Sequence, residues 1–393
     1  MAKEHDLRRF GTILLLGVAA GAAARYYIEA RAREATTTTT TQMIDWEQAR
    51  SIALRVSQWE QAPIPDRAFR REQYIRLVKQ SEPLIAAYLG VELPAPVNRV
   101  YVFDRREWLE ANFVSFKQLF RPIEEIYERN GGAQGGLALL LGGVNSKLLG
   151  SQIGVLLGYL ARRVLGQYDL SLLSPDPDIR GSLYYVEPNI SQVQSGLGVN
   201  DEEYRLWIAL HETTHVFEFE AYPWVRDYFN SLLQQYFDLL STQLESLGSS
   251  LISLANRVAQ SLNTGTHWIE AVLTPEQRVI FEQLQALMSI VEGYGNHVMN
   301  AVGRQMLPNF DQIEQRMAQR QQNRTIFEQI FNRITGLDLK MAQYQQGEAF
   351  VNAVVEARGI AFAARVWEGV AFLPTMDEIR EPQRWIERVE GME

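Results

Sequence analysis

Leu206-Trp207-Ile208-Ala209-Leu210-His211-Glu212-Thr213-Thr214-His215-Val216-Phe217 contains neither proline nor glycine, and its apolar residues suit a buried helix. His211 and His215 stand four apart, so on a helix both imidazoles leave the same face and can grip one ion. Glu212 follows the first histidine and points beside such an ion, where it can take a proton from water. That division of labour is the one used by zinc hydrolases. The bland alternative is a pair of packed histidines on an ordinary helix. It is the weaker one, because two histidines and a glutamate on an apolar helix are expensive to bury without a metal or partners.

The composition sharpens this. The chain of 393 residues has no cysteine, which rules out thiolate ligands and leaves histidine and carboxylate as the donors for a transition metal. Its histidines are His5, His211, His215, His267 and His297. A catalytic zinc needs a third protein ligand and an open position. The residues after His215 are Val216-Phe217-Glu218-Phe219-Glu220-Ala221, so no third histidine follows closely. The best candidate lies downstream, where Leu284, Leu287, Met288, Val291, Val298 and Val302 mark a core-facing stripe around Val291-Glu292-Gly293-Tyr294-Gly295-Asn296-His297. Glu292 sits on or beside that apolar face and would be costly to bury unless it bound something. His297 and His267 are its rivals; His267 follows the loop signal Asn263-Thr264-Gly265-Thr266. Asn296, one turn beyond Glu292, is placed to hydrogen-bond a ligand imidazole. Gly293 and Gly295 would let this helix approach the His211 helix. Tyr294, His297 and Tyr344 are candidate donors to an oxyanion.

Around this motif the chain reads as an ordinary globular protein, 46% hydrophobic and 22% charged. Its net charge of −9 argues against a nucleic-acid partner. Residues 1–42 form a separate N-terminal part. An apolar run from Phe10 to Ala24 is preceded by Lys3, Arg8 and Arg9 and ended by Arg25. Residues 10–28 suit a marginal membrane tether, ahead of a soluble helix or a signal peptide. The body is accordingly expected to be membrane-tethered or cytoplasmic. Six threonines at 36–41 make a linker.

The folded body begins near Met43-Ile44-Asp45-Trp46. Helical periodicity fills 46–90, interrupted by Pro63 and Pro65. Arg99 to Phe103 and Leu183 to Val186 read as strands. Between them 131–165 is apolar and glycine-rich, with Gly150, Gly154 and Gly158 four apart, the spacing of close helix packing. Asn145, Ser146, Lys147 and Gln152 interrupt it, favouring a core helical pair over a membrane hairpin. From Asp201 onward the pattern is helical, with a solvated face over 312–324.

Several stretches resemble the bacterial zincin-like metallopeptidase and hydrolase family, some members of which are labelled as associated with deazaflavin coenzyme biosynthesis. They are Ile44-Asp45-Trp46, Asp104-Arg105 with Glu107-Trp108, Val164-Leu165-Gly166-Gln167-Tyr168-Asp169 and Tyr185-Val186-Glu187-Pro188-Asn189. Further on come the His211–His215 helix, Pro223-Trp224, Glu292-Gly293, Lys340 with Gln343-Tyr344 and Gly347, and Leu373-Pro374-Thr375 with Glu378-Ile379. The resemblance implies one elaborated zincin-like domain over 43–393, of α+β class, predominantly helical with a small β-sheet. It carries over His211 and His215 as zinc ligands and Glu212 as base, with Glu292 in the place of the downstream glutamate ligand. Two departures stand out: the separation of His215 from Glu292 is long, and Asn296 stands where aspartate is common.

The expected function is therefore a zinc-dependent hydrolase, a metallopeptidase acting on a peptide or protein substrate. The alternatives are a catalytically inactive, zinc-stabilised binding or scaffold protein on the same fold, and a membrane-proximal helical protein whose histidine pair is incidental.

Overall fold

The computed structural model describes residues 42–129, 146–168, 181–246, 273–322 and 337–392. The N-terminal apolar run, the threonine linker and His267 lie outside the described residues.

Helix α1 (Trp46–Ser57) starts where the Asp45 side chain accepts the Gln48 N–H, and α2 (Arg67–Leu89) starts at Asp66 in the same way. Such caps satisfy amides that the first helical turn leaves unpaired. Pro63 and Pro65 separate the two helices, as their missing donors require. Strand β1 (Arg99–Phe103) follows, then α3 (Arg105–Arg129), α4 (Ser146–Ala161), β2 (Gly166–Tyr168), β3 (Ser182–Val186) and α5 (Glu187–Leu197). The remaining described elements are helical: α6 (Asp201–Glu220), α7 (Trp224–Ser246), α8 (Pro275–Met306), α9 (Phe310–Gln322) and α10 (Leu337–Arg358). The short α11 (Ile360–Ala363), α12 (Met376–Arg380) and α13 (Pro382–Glu390) complete them.

The described sheet has the order β1-β3-β2. β3 runs parallel to β1, pairing Arg99 with Ser182 through Phe103 with Val186, and antiparallel to β2, pairing Gly166 with Tyr185 and Tyr168 with Leu183. The fold is α+β and predominantly helical. β3 is buried along its whole length, as a central strand between helical layers must be. Helices α2 and α6 pack on the sheet and on each other. Their core joins Tyr74, Leu77, Tyr185, Ile190, Leu210, Phe217, Ile290, Val298, Phe350 and Trp385.

One buried ion network ties α6 to its neighbours. Arg205 is fully buried and pairs with the buried Glu187 at the start of α5. The Tyr74 hydroxyl donates to the same carboxylate at 2.7 Å, and Arg70 Nε lies 3.3 Å from it. A buried charge is tolerated only with such multiple partners.

Helices α1, α3 and α4 enclose a second apolar cluster that includes Trp46, Ala53, Trp108, Phe113, Ile153 and Leu157. Here the three spaced glycines find their use. A side-chain carbon at Gly154 would lie 2.5 Å from the Ala49 carbonyl oxygen, and one at Gly158 would lie 2.6 Å from that of Ala53. The close approach that the spacing predicts is thus made with α1, far back in sequence, and the start of the glycine-rich stretch (131–145) lies outside the described residues. Among the described residues, no helix is long and apolar enough to cross a membrane.

A second glycine crossing joins α8 to α10. A side-chain carbon at Gly293 would sit 2.5 Å from the Glu348 backbone nitrogen, and one at Gly347 would sit 2.7 Å from the Ser289 carbonyl carbon. Gly293 therefore serves the contact with α10, not the approach to the His211 helix expected of it. At the C-terminal end Thr375 and Glu378 form a capping box for α12, and Glu378 also receives Arg388 from α13.

Candidate metal centre

Helix α6 is held at its start by Asn200, whose side chain accepts the N–H groups of Glu202 and Glu203 at 3.0 Å each. Asp201, Glu202 and Glu203 then place negative charge on the positive end of the helix dipole. From Tyr204 to Phe219 every residue is buried except Trp207 and His211. These two are one turn apart, so the helix meets solvent along a single narrow strip.

His211 and His215 project from that face together. Their Nε2 atoms are 3.1 Å apart. Two nitrogens bound tetrahedrally to one zinc at about 2.0–2.1 Å would be separated by roughly 3.3 Å, so the pair already has the spacing of a shared ion. Glu292 arrives from α8, its Oε2 3.9 Å from His211 Nε2. The three donor atoms lie within 4.8 Å of one another. Two imidazoles and a carboxylate are a donor set suited to zinc, and the residues fit that ion.

Gly295 makes the approach of α8 feasible. A side-chain carbon there would lie 3.1 Å from His215 Cε1 and 3.7 Å from Glu218 Oε1. The expectation for Gly295 is met by the structure.

Glu218 is the residue that sequence reasoning missed. It is 1% exposed, and its Oε2 accepts from His215 Nδ1 at 2.7 Å. That contact keeps a proton on Nδ1, so the proton given up when an ion binds is the one on Nε2. Asn296, expected to orient a ligand imidazole, makes no hydrogen bond to either site histidine. A carboxylate one turn beyond His215 on the same helix reaches the ring directly, and Asn296 is not needed. The available signal was the i+3 spacing of an acid on an apolar helix.

His297 is otherwise engaged. Its Nε2 receives the Tyr88 hydroxyl at 2.7 Å and its Nδ1 donates to Asn352 Oδ1 at 2.6 Å, so neither nitrogen has a lone pair left for a metal. Burial lowers its pKa, in keeping with a neutral ring, and the Asn352 contact only partly opposes this. Tyr294 is 2% exposed and packs edge-on against Trp367 at 5.2 Å, a core position. The side chain of Tyr344 lies outside the described residues.

Electrostatically the centre is rich in carboxylates, with Glu212, His215 and Glu218 buried and His211 and Glu292 partly exposed. Although the His211 side chain is 22% exposed, desolvation by its buried surroundings, reinforced by His215, lowers it to about 3. Burial would depress His215 as well, but Glu218, Glu292 and Glu212 outweigh it and raise that ring to about 10. Burial raises Glu212 to about 7, with Glu292 adding to the rise and His215 and the Tyr168 backbone N–H opposing it. Glu218 is also raised to about 7 by burial, against the pull of His215. A carboxylate poised near neutrality is suited to accepting and returning a proton.

Comparisons with known proteins place the chain in a family. A family model described as zincin-like metallopeptidase matches residues 44–386. Among solved structures, a protein from Chloroflexus aurantiacus, described as "a putative hydrolase with a novel fold", is 61% identical. The match covers 88% of this chain and 99% of that one, with a TM-score of 0.68. No curated protein matches the chain.

Proposed function

The chain belongs to the zincin-like metallopeptidase family, and from that premise we propose that it is a zinc-dependent hydrolase that cleaves peptide bonds. The hydrolase class is supported by the family and by the description of the similar Chloroflexus protein. The observation that carries the zinc reading is the convergence of His211 Nε2, His215 Nε2 and the Glu292 carboxylate beside Glu212.

Zinc held there would polarise the scissile carbonyl and make water a stronger acid. His211, His215 and Glu292 are its proposed ligands, and Glu218 orients the second of them. Glu212 is the proposed general base: its carboxylate takes a proton from the attacking water and later hands it to the leaving amine. The burial of Glu212 keeps competing water away from its carboxylate. Peptide or protein substrates would enter along the strip that leaves Trp207 and His211 open.

The test pairs zinc stoichiometry with cleavage of a peptide library by the wild type and Glu212→Gln. One zinc per chain and cleavage abolished by Glu212→Gln are expected. Undiminished cleavage by that variant contradicts the role of Glu212. A zinc-loaded wild type that cleaves nothing, yet loses much stability on chelation, favours the scaffold alternative.

A further inference from the structure

One rung of the sheet lies directly beneath the Glu212 carboxylate. Gly166 on β2 stands opposite Tyr185 on β3 in the antiparallel register, and residues so opposed project to the same face. A side-chain carbon at 166 would lie 2.6 Å from both Cγ and Cδ of Glu212. Gly166 does not need glycine for its backbone, since its φ is not positive. The absent side chain is what makes room for the carboxylate. Two residues along the same strand, the Tyr168 backbone N–H bonds to Glu212.

The other half of the rung is as specific. Tyr185 is fully buried, and its ring lies flat on Tyr74 with centroids 4.0 Å apart and planes within 5°. Tyr74 is in turn anchored to Glu187 through its hydroxyl. The Tyr185 hydroxyl is itself buried without a hydrogen-bond partner among the described residues. Native structures seldom leave a buried phenol unpaired unless it has a further task. Glu212 is the charged group that acts on it.

We infer that the Gly166–Tyr185 rung is the socket that positions Glu212: the missing side chain at 166 leaves the space the carboxylate fills, and the Tyr185 hydroxyl, unpartnered here, is the donor that the carboxylate meets when zinc is bound. Tyr185 is thus a positioning residue, acting through Glu212, and this rests on the reading of Glu212 as the base. A donor from beneath would then engage one carboxylate oxygen and leave the other to face the reacting water. Stacking on Tyr74 keeps the donor from swinging away, which is how a supporting group makes a site rigid.

The test compares zinc-loaded crystal structures of the wild type, Tyr185→Phe and Gly166→Ala. Zinc stoichiometry, the thermal midpoint of the metal-free form, and kcat and KM on the best-cleaved member of a peptide library accompany them. In the wild type the Tyr185 hydroxyl should lie within about 3.2 Å of a Glu212 oxygen. Gly166→Ala should displace Glu212 while still binding one zinc, and lower kcat about a hundredfold. Tyr185→Phe should lower kcat about tenfold to a hundredfold with KM little changed. Its metal-free midpoint should stay level or rise, because the lost hydroxyl is buried with no hydrogen-bond partner among the described residues. A lower midpoint would reveal a merely structural residue and overturn the inference. So would an unmoved Glu212 in Gly166→Ala, or a Tyr185 hydroxyl bonded to another group. If the wild type cleaves no peptide, the peptidase reading fails while the structures still decide the socket.

Discussion

Replacing Glu218 should weaken zinc binding in a graded way. Glu218 is 1% exposed and accepts from His215 Nδ1 at 2.7 Å. Its charge raises the basicity of the ring and its position fixes the tautomer. Removing such an orienting carboxylate lowers metal affinity by roughly 10–100-fold, or about 1.4–2.7 kcal/mol. Glu218→Gln keeps an acceptor for the Nδ1–H but loses the charge, so it belongs near the lower figure. Glu218→Ala loses both and leaves a void beside Gly295, so it belongs near the upper one. The assay is a competition titration of the metal-free protein against a chromophoric zinc chelator near neutral pH, with circular dichroism to establish that each variant is folded. An affinity order of wild type, Gln, Ala is expected. Wild-type affinity in Glu218→Ala would refute the argument, and so would a Gln variant weaker than Ala.

Three further outcomes follow from other parts of the fold. Gly347→Ala forces a side-chain carbon against the Ser289 backbone at the α8–α10 crossing; it should destabilise by about 1–3 kcal/mol, read as a lower thermal midpoint. Burial alone would raise Glu378, but its bonds to Arg388 prevail and hold it below the usual carboxylate range. A folded-state pKa depressed in this way contributes stability above the unfolded value of about 4.3, and that stability is lost as pH falls through the folded value. Glu378→Gln should therefore lower the midpoint at neutral pH, with the gap to wild type closing in acid. Residues 10–28 remain the proposed tether, so the full chain should co-sediment with membranes on expression and a chain lacking residues 1–41 should not.

The parts of this account legible in the sequence are those where a short pattern carries its own physical meaning. The His211–His215 helix is one, because helical spacing alone brings both imidazoles to one face. Glu292 is another, since an acid amid Leu287, Val291 and Val298 needs a reason to be there. The strand at Arg99–Phe103 is matched residue for residue. Strand β2 was not legible: three residues are too few for alternation to register, and Gly166 carries no propensity for strand. Its role emerges only when β3 brings it over Glu212. Glu218 is not legible in the sequence, because nothing local says that α6 is buried on nearly every side. The partners of Gly150, Gly154 and Gly158 were hidden for a similar reason: spacing reports that something packs closely, not what.

The most direct test of the centre is anomalous diffraction at the zinc edge from crystals of the zinc-loaded protein. One peak is expected, bonded to His211 Nε2, His215 Nε2 and a Glu292 oxygen at about 2.0–2.2 Å, with a position left open. A peak ligated by His297, a peak elsewhere, or none at the His211–His215 pair would contradict it.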